Sequence, residues 1–240
     1  MKRTEVCELI KEIGIIPAIR VSSAEEAHFA AESVAGGGIP LVEITMTVPE
    51  AVELISHLVR QHKNITVGAG TVLDTETARR CVDAGASFLS APGFNAAIVE
   101  FAAKQEVAVL PGALTPTEVV EAWQAGSDFV KVFPCGQVGG DKYIKALKAA
   151  LPQIPLIAAG GVTQQTAANF ILAGATAIGV GTDLIPTEAI ELREPERIQE
   201  LAQRFLSFVN GARKRLSPQK ESGPSSKTDF RKLHKHTTTS

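Results

Sequence analysis

Short apolar runs alternate with longer amphipathic segments along most of the chain. The runs are IIPAIR (15–20), PLVEIT (40–45), ITVGAG (65–70), SFLSA (87–91), VAVLPG (107–112), DFVKVF (128–133), PLIAAG (155–160) and AIGVGT (177–182). Each is too short for a buried helix and is rich in β-branched or aromatic residues, so each reads as a strand. The segments between them, such as SAEEAHFAAESVAGG, VPEAVELISHLVRQH and TPTEVVEAWQAG, repeat their apolar positions at helical spacing. Ser22 or Ser23 ahead of Glu25 and Glu26, and Thr115 ahead of Glu118, supply helix N-caps; Gly85, Gly126 and Gly174 supply helix ends. Eight strands, each followed by a helix, predict a parallel sheet closed into a (β/α)8 TIM barrel, with an extra N-terminal helix around residues 4–13. An open doubly wound sheet is the competing architecture, but no early G-x-G-x-x-G opens a helix.

The barrel is expected over residues 1–216. From Ser217 the chain turns rich in Ser, Thr, Lys and Pro with little apolar content, so residues 217–240 are expected to be a disordered tail.

Alternation along the strands singles out three charged positions. In DFVKVF, Phe129, Lys131 and Phe133 share one side, and the apolar pair Val130 and Val132 suits packing under helices. Lys131 therefore points into the barrel. In PLVEIT the same argument sends Glu43 inward with Leu41 and Thr45. Arg20 ends the first strand on the face of Ala18. All three lie toward the C-terminal ends of their strands, where barrel enzymes build their sites. A buried ion pair held only for stability is the plainer reading, but desolvation offsets most of its attraction. A lysine amine kept from water beside a carboxylate is instead the minimal equipment for a Schiff base with a ketone, the carboxylate moving the protons.

The strand ends add two anion sites. AAGGVT (158–163) and GVGTDL (179–184) place Gly160, Gly161, Gly181 and Thr182 after strands seven and eight, where barrels often hold phosphate on backbone N–H groups. GAGTV (68–72) offers Thr71, and its glycines are expected to let that residue approach a ligand. Arg20 suits a carboxylate. The bland alternatives are tight turns for the glycines, a helix cap for Thr71 and a surface charge for Arg20. Together the groups describe a phosphorylated 2-keto acid as the small-molecule partner.

Composition narrows the partners further. The 240 residues carry a net charge of −2 with one Trp and one Tyr, which argues against nucleic acid and against an anionic membrane. No apolar run is long enough to span a bilayer, and the N-terminus lacks the apolar core of a secretory signal. Cys7, Cys81 and Cys135 are odd in number and far apart, which fits a reducing cytoplasm better than a disulfide framework. His28, His57 and His62 fall on predicted helices, and His234 and His236 in the tail. No strand end thus gathers histidines, and a metal-dependent mechanism is disfavoured.

Residues 5–215 resemble the bacterial 2-keto-3-deoxy-6-phosphogluconate (KDPG) and 4-hydroxy-2-oxoglutarate (KHG) aldolases, through PAIR, VEITMTVPEA, VGAGTVLD, APGFN, LPGALTPTE, DFVKVFP, AAGGVT and GVGTDL in collinear order. The resemblance implies a class I aldolase without a metal, normally a homotrimer. It matches Lys131 to the Schiff-base lysine, Glu43 to the catalytic acid/base and Thr71 to a residue near the substrate carboxylate; Pro92 and Phe133 complete the expected substrate contacts. Some members carry their carboxylate-binding arginine shortly after the glutamate. TMTVPEA has none, and Arg20 fits the branch that takes it from strand one. Ala91 stands where the family often has serine, and Ala159 where many members have threonine before the paired glycines. The lost hydroxyl at 159 opens the choice of sugar-acid epimer, with 6-phosphogalactonate aldolases as a substrate-level alternative. A phosphate-binding barrel isomerase or epimerase, and an inert scaffold, are the remaining classes; the presence of both Lys131 and Glu43 weighs against the scaffold.

Overall fold

The computed structural model describes residues 1–216; the expectation for 217–240 falls outside the described residues. Nine parallel strands form one sheet: β1 (Ile15–Ile19), β2 (Leu41–Thr45), β3 (Thr66–Gly70), β4 (Phe88–Ser90), β5 (Ala108–Leu110), β6 (Gly112–Ala113), β7 (Val130–Val132), β8 (Leu156–Ala159) and β9 (Ala177–Val180). Their spatial order is β5-β4-β3-β2-β1-β9-β8-β7-β6. The two ends of that order, β5 and β6, are consecutive in the chain and separated only by Pro111. They are the two halves of the fifth barrel strand. Proline has no N–H to give to a ladder, yet the Pro111 carbonyl accepts from the Lys131 N–H at 2.8 Å. The first half pairs with β4 and the second with β7, so the barrel closes through this break. The expected eight strands are all present, and the ninth segment is this division.

Among the described residues ten helices surround the sheet: α1 (Arg3–Ile13), α2 (Ala24–Gly36), α3 (Ala51–Gln61), α4 (Thr75–Asp83), α5 (Ala96–Lys104), α6 (Pro116–Gln124), α7 (Asp141–Ala150), α8 (Ala167–Leu172), α9 (Thr187–Glu191) and α10 (Pro195–Leu216). The extra helix α1 buries Val6, Cys7 and Ile10, and Gly14 ends it in the left-handed conformation at φ 70°. Arg3 Nε donates to both Asp128 carboxylate oxygens, at 2.9 and 3.1 Å, and ties α1 to the residue that leads toward β7. Thr115 caps α6 reciprocally with Glu118, as the sequence pattern anticipates. The short α9 and a 3-10 turn at Cys135–Val138 carry no clear periodicity and were not expected from the pattern. Among the described residues no helix is long and apolar enough to cross a membrane.

Candidate active site

Strand alternation controls what faces the barrel axis. Ile16, Ala18 and Arg20 follow one another along the wall from β1, Lys131 and Phe133 from β7, Ile157 and Ala159 from β8, Gly179 and Gly181 from β9; with Glu43 they border a cavity of about 290 Å³. β2 and β7 stand four strands apart in either direction around the closed barrel. Glu43 and Lys131 therefore rise from opposite walls and meet across the centre, with Nζ 3.8 Å from Oε1. Their ladder neighbours make room. Glu43 lies between Ala18 and Gly68, and Lys131 between Gly112 and Ile157.

Both side chains are largely withdrawn from solvent, 12% exposed for Lys131 and 6% for Glu43. At 3.8 Å they form an ion pair without a hydrogen bond. The hydrogen-bond partner of Lys131 is Ser90, whose hydroxyl oxygen accepts from Nζ at 2.7 Å. The Phe133 ring lies 5.8 Å from Nζ, at the outer reach of a cation–π contact. Ser90 is itself buried and was not among the expected site residues. It shares the inward face of β4 with Phe88, and a polar residue at that alternating position was the available signal.

The opposite end of the cavity is made of backbone. Gly160 and Gly161 have φ of 79° and 86°, a region most side chains avoid. They also run close beneath the segment after β7: a Cβ on Gly160 would lie 2.9 Å from Pro134 Cα, and one on Gly161 3.0 Å from Gly136 Cα. The N–H groups of Gly161, Gly181 and Thr182 donate to no other backbone group among the described residues. Free N–H groups on two adjacent strand ends form a concavity suited to an anion. Beside it, burial pushes the Cys135 thiol up to about 11, which keeps it a packing group with little thiolate character. Arg20 sits at the exposed mouth, one residue beyond β1, between the strand of Glu43 and the strand leading to Gly181. It makes no hydrogen bond or ion pair among the described residues. Asp183 also lines the cavity and was not singled out by the sequence.

Eight of the ten expected site residues thus border one cavity: Lys131, Glu43, Arg20, Phe133, Gly160, Gly161, Gly181 and Thr182. Thr71 and Pro92 do not. Thr71 is in the left-handed region at φ 58°, and the glycines before it have another use. A Cβ on Gly68 would meet the Phe88 ring at 2.2 Å, and one on Gly70 would meet Glu43 Oε1 at 2.1 Å. They provide volume for Phe88 and Glu43. Pro92 contributes its carbonyl to the tight approach at Gly112, where a Cβ would come within 2.1 Å of that oxygen. The helix histidines lie outside the cavity wall.

The family model for KDPG and KHG aldolases matches residues 6–201. Over 205 residues the chain is 28% identical to the 2-dehydro-3-deoxy-phosphogluconate aldolase of Pseudomonas aeruginosa, a match covering 85% of this chain and 93% of that one. It is 31% identical over 204 residues to the 2-dehydro-3-deoxy-6-phosphogalactonate aldolase of Escherichia coli K12, covering 84% and 96%. Among solved structures it is similar to the KDPG aldolase of Legionella pneumophila with pyruvate captured at low pH as a covalent carbinolamine intermediate. That match has a TM-score of 0.77 and 28% identity, and covers 82% of this chain and 96% of the other.

Proposed function

Because the chain belongs to the KDPG and KHG aldolase family and is an aldehyde-lyase, we propose that it reversibly cleaves 2-keto-3-deoxy-6-phosphogluconate to pyruvate and D-glyceraldehyde 3-phosphate through a Schiff base on Lys131. The observation that carries the proposal is the meeting of Lys131 and Glu43 across the barrel, 3.8 Å apart, below a mouth lined by paired glycines. Pyruvate trapped as a carbinolamine in the Legionella relative supports the covalent step.

The substrate enters with its phosphate toward Gly160, Gly161, Gly181 and Thr182 and its carboxylate drawn by Arg20. Phe133 walls the side of the keto acid. Lys131 Nζ attacks the C2 carbonyl; the carbinolamine takes a proton from Glu43 and loses water, leaving an iminium. Glu43 then accepts the C4 hydroxyl proton, directly or through water, as the C3–C4 bond breaks and its electrons move into the iminium. The aldehyde leaves. The enamine is protonated at C3, and water releases pyruvate and the free amine. Thr71 and Pro92 do not border this cavity; on this reading Thr71 stays near the substrate carboxylate and Pro92 among the substrate contacts. With 4-hydroxy-2-oxoglutarate the same steps would release glyoxylate. The phosphogalactonate epimer is the second substrate reading, favoured by the similarity to the Escherichia coli aldolase and by the methyl of Ala159 on the cavity wall. The assembly the family resemblance implies is a homotrimer, open to test by sedimentation.

Incubating the protein with pyruvate and borohydride tests the mechanism. One reduced pyruvate per chain, mapped by peptide mass to Lys131, is expected. Labelling at Lys142 or Lys145, or no label at all, would overturn it.

A further inference from the structure

The three helix histidines come together in space. His28 and Glu32 share a face of α2 one turn apart, and His62 caps the C-terminal end of α3. His28 Nδ1 is 3.5 Å from one Glu32 oxygen, and His62 Nε2 is 3.6 Å from the other. One donor atom from each of the three residues can be chosen so that all lie within 4.8 Å of one another. His57, also on α3, sets its ring edge-on to His28 at 5.3 Å between centroids, and His62 does the same at 5.4 Å.

This cluster is poorly satisfied as it stands. The Nε2 atoms of His28 and His62 are buried and have no hydrogen-bond partner. The imidazole–carboxylate distances are too long for good hydrogen bonds. A buried polar atom without a partner costs about 1–3 kcal/mol. His62 Nε2 is such an atom and already faces the Glu32 carboxylate. A divalent ion that takes a lone pair from it, from one His28 nitrogen and from Glu32 would remove the cost at His62.

We infer that His28, Glu32 and His62 form a binding site for a divalent ion of the zinc class, clamping α2 to the end of α3 outside the catalytic cavity. Two nitrogens and one oxygen are a donor set that zinc takes readily, with metal–ligand distances of about 2.0–2.2 Å. Donors on a tetrahedron of that radius stand roughly 3.3 Å apart; one donor from each residue already lies within 4.8 Å of the others, so the three side chains need to close by at most about 1.5 Å. Three protein ligands leave a fourth position for water. The site holds no competition from thiols in the described residues: Cys7, Cys81 and Cys135 are buried, and burial pushes them up to about 12, 11 and 11. None of the three ligands borders the catalytic cavity, so the ion acts on the helix layer and does not reach the substrate. The helices it joins follow β1 and β2, which lead to Arg20 and carry Glu43.

Zinc titration of the full-length chain after chelator dialysis tests the site by calorimetry. One tight equivalent per chain is expected. It should weaken by at least about tenfold in His28→Ala/His62→Ala and stay unchanged in His234→Ala/His236→Ala. Zinc at about 100 times its Kd should raise Tm by roughly 5–10 °C, with initial aldol-cleavage rates at 25 °C unaltered. Absence of a tight equivalent, or loss of binding that follows His234 and His236, would overturn the assignment. Glu32 is half exposed, so Glu32→Gln keeps the fold whatever the histidine variants do. In the wild-type chain Co²⁺ should give the intense visible bands of a low-coordinate nitrogen–oxygen site, diminished in Glu32→Gln. A weak spectrum like that of aqueous Co²⁺, or one indifferent to Glu32→Gln, would equally reject the site.

Discussion

The two halves of the barrel mouth use the same residue type to opposite ends. The half made of β7, β8, β9, β1 and β2 borders the cavity, and its glycines at 160, 161 and 181 lie on the cavity wall. The half made of β3, β4, β5 and β6 is packed shut. There the glycines are holes already filled: Gly68 by the Phe88 ring, Gly70 by the Glu43 carboxylate, Gly112 by the Pro92 carbonyl. A glycine at a strand end therefore marks either space for a ligand or space for a neighbour. What separates the two is what an added Cβ would meet: the Phe88 ring at 2.2 Å on Gly68 in the closed half, but only the Ala18 carbonyl at 3.9 Å on Gly181 in the open half.

Glu43 bridges the halves, and removing its charge should have the largest effect. Glu43→Gln keeps the volume of a side chain packed against Gly70, so the fold should persist. Cleavage should fall by about 10²–10⁴-fold, the usual contribution of a general acid–base group. Pyruvate C3–H exchange should fall in parallel. A loss below tenfold in both assays would remove Glu43 from the reaction and leave it as a packing residue of the closed half.

A matched pair of glycine substitutions sharpens the contrast. Gly68→Ala would drive a methyl into the Phe88 ring at 2.2 Å in a fully buried layer. Overpacking of this kind costs about 1–3 kcal/mol, so Tm should drop by several degrees while KM stays near the wild-type value. Gly181→Ala should do the reverse. Its Cβ would find only the Ala18 carbonyl at 3.9 Å, and its backbone is not in the left-handed region. Stability should hold, and KM for the phosphorylated substrate should rise roughly tenfold, equivalent to about 1.4 kcal/mol of lost contact. Gly161 is unsuited to this test, because its φ of 86° would strain any replacement. If both variants moved Tm and neither moved KM, the open half would not be where phosphate binds.

The sequence shows the barrel and its central pair because both follow from one-dimensional periodicity. Alternation in DFVKVF and PLVEIT sends Lys131 and Glu43 inward, and the order of strands puts them on opposite walls. Arg20 and the paired glycines follow from their positions at strand ends. What escaped depends on distances between elements that no periodicity carries. The use of Gly68 and Gly70 is set by Phe88 and Glu43, each on a neighbouring strand. His28 and His62 lie on different helices, and their approach depends on the stagger of α2 against α3. Read along the chain they were only three helical histidines. The break at Pro111 was legible as a proline within a strand run, but that it separates pairing to β4 from pairing to β7 emerges only when the barrel closes.

Ser90 supplies the smallest and finest test, since among the described residues it is the closed half's hydrogen-bond partner for the reacting amine itself. Its hydroxyl accepts from Nζ at 2.7 Å from the inner face of β4, while the Glu43 oxygen stands 3.8 Å off. Ser90 thus fixes where the amine points, and Glu43 is left free to handle protons. Ser90→Ala removes one hydrogen bond of about 0.5–1.5 kcal/mol, so formation of the pyruvate adduct should slow by roughly 2- to 12-fold. The effect should fall on kcat more than on KM, because phosphate binding belongs to the other half. Ser90→Thr, which restores the hydroxyl, should recover part of the rate. A purely structural role predicts a different pattern: Tm would fall in Ser90→Ala, and the rate of trapping measured well below Tm would not change. That pattern would confine the closed half to packing, and the lysine would owe its orientation to the open half alone.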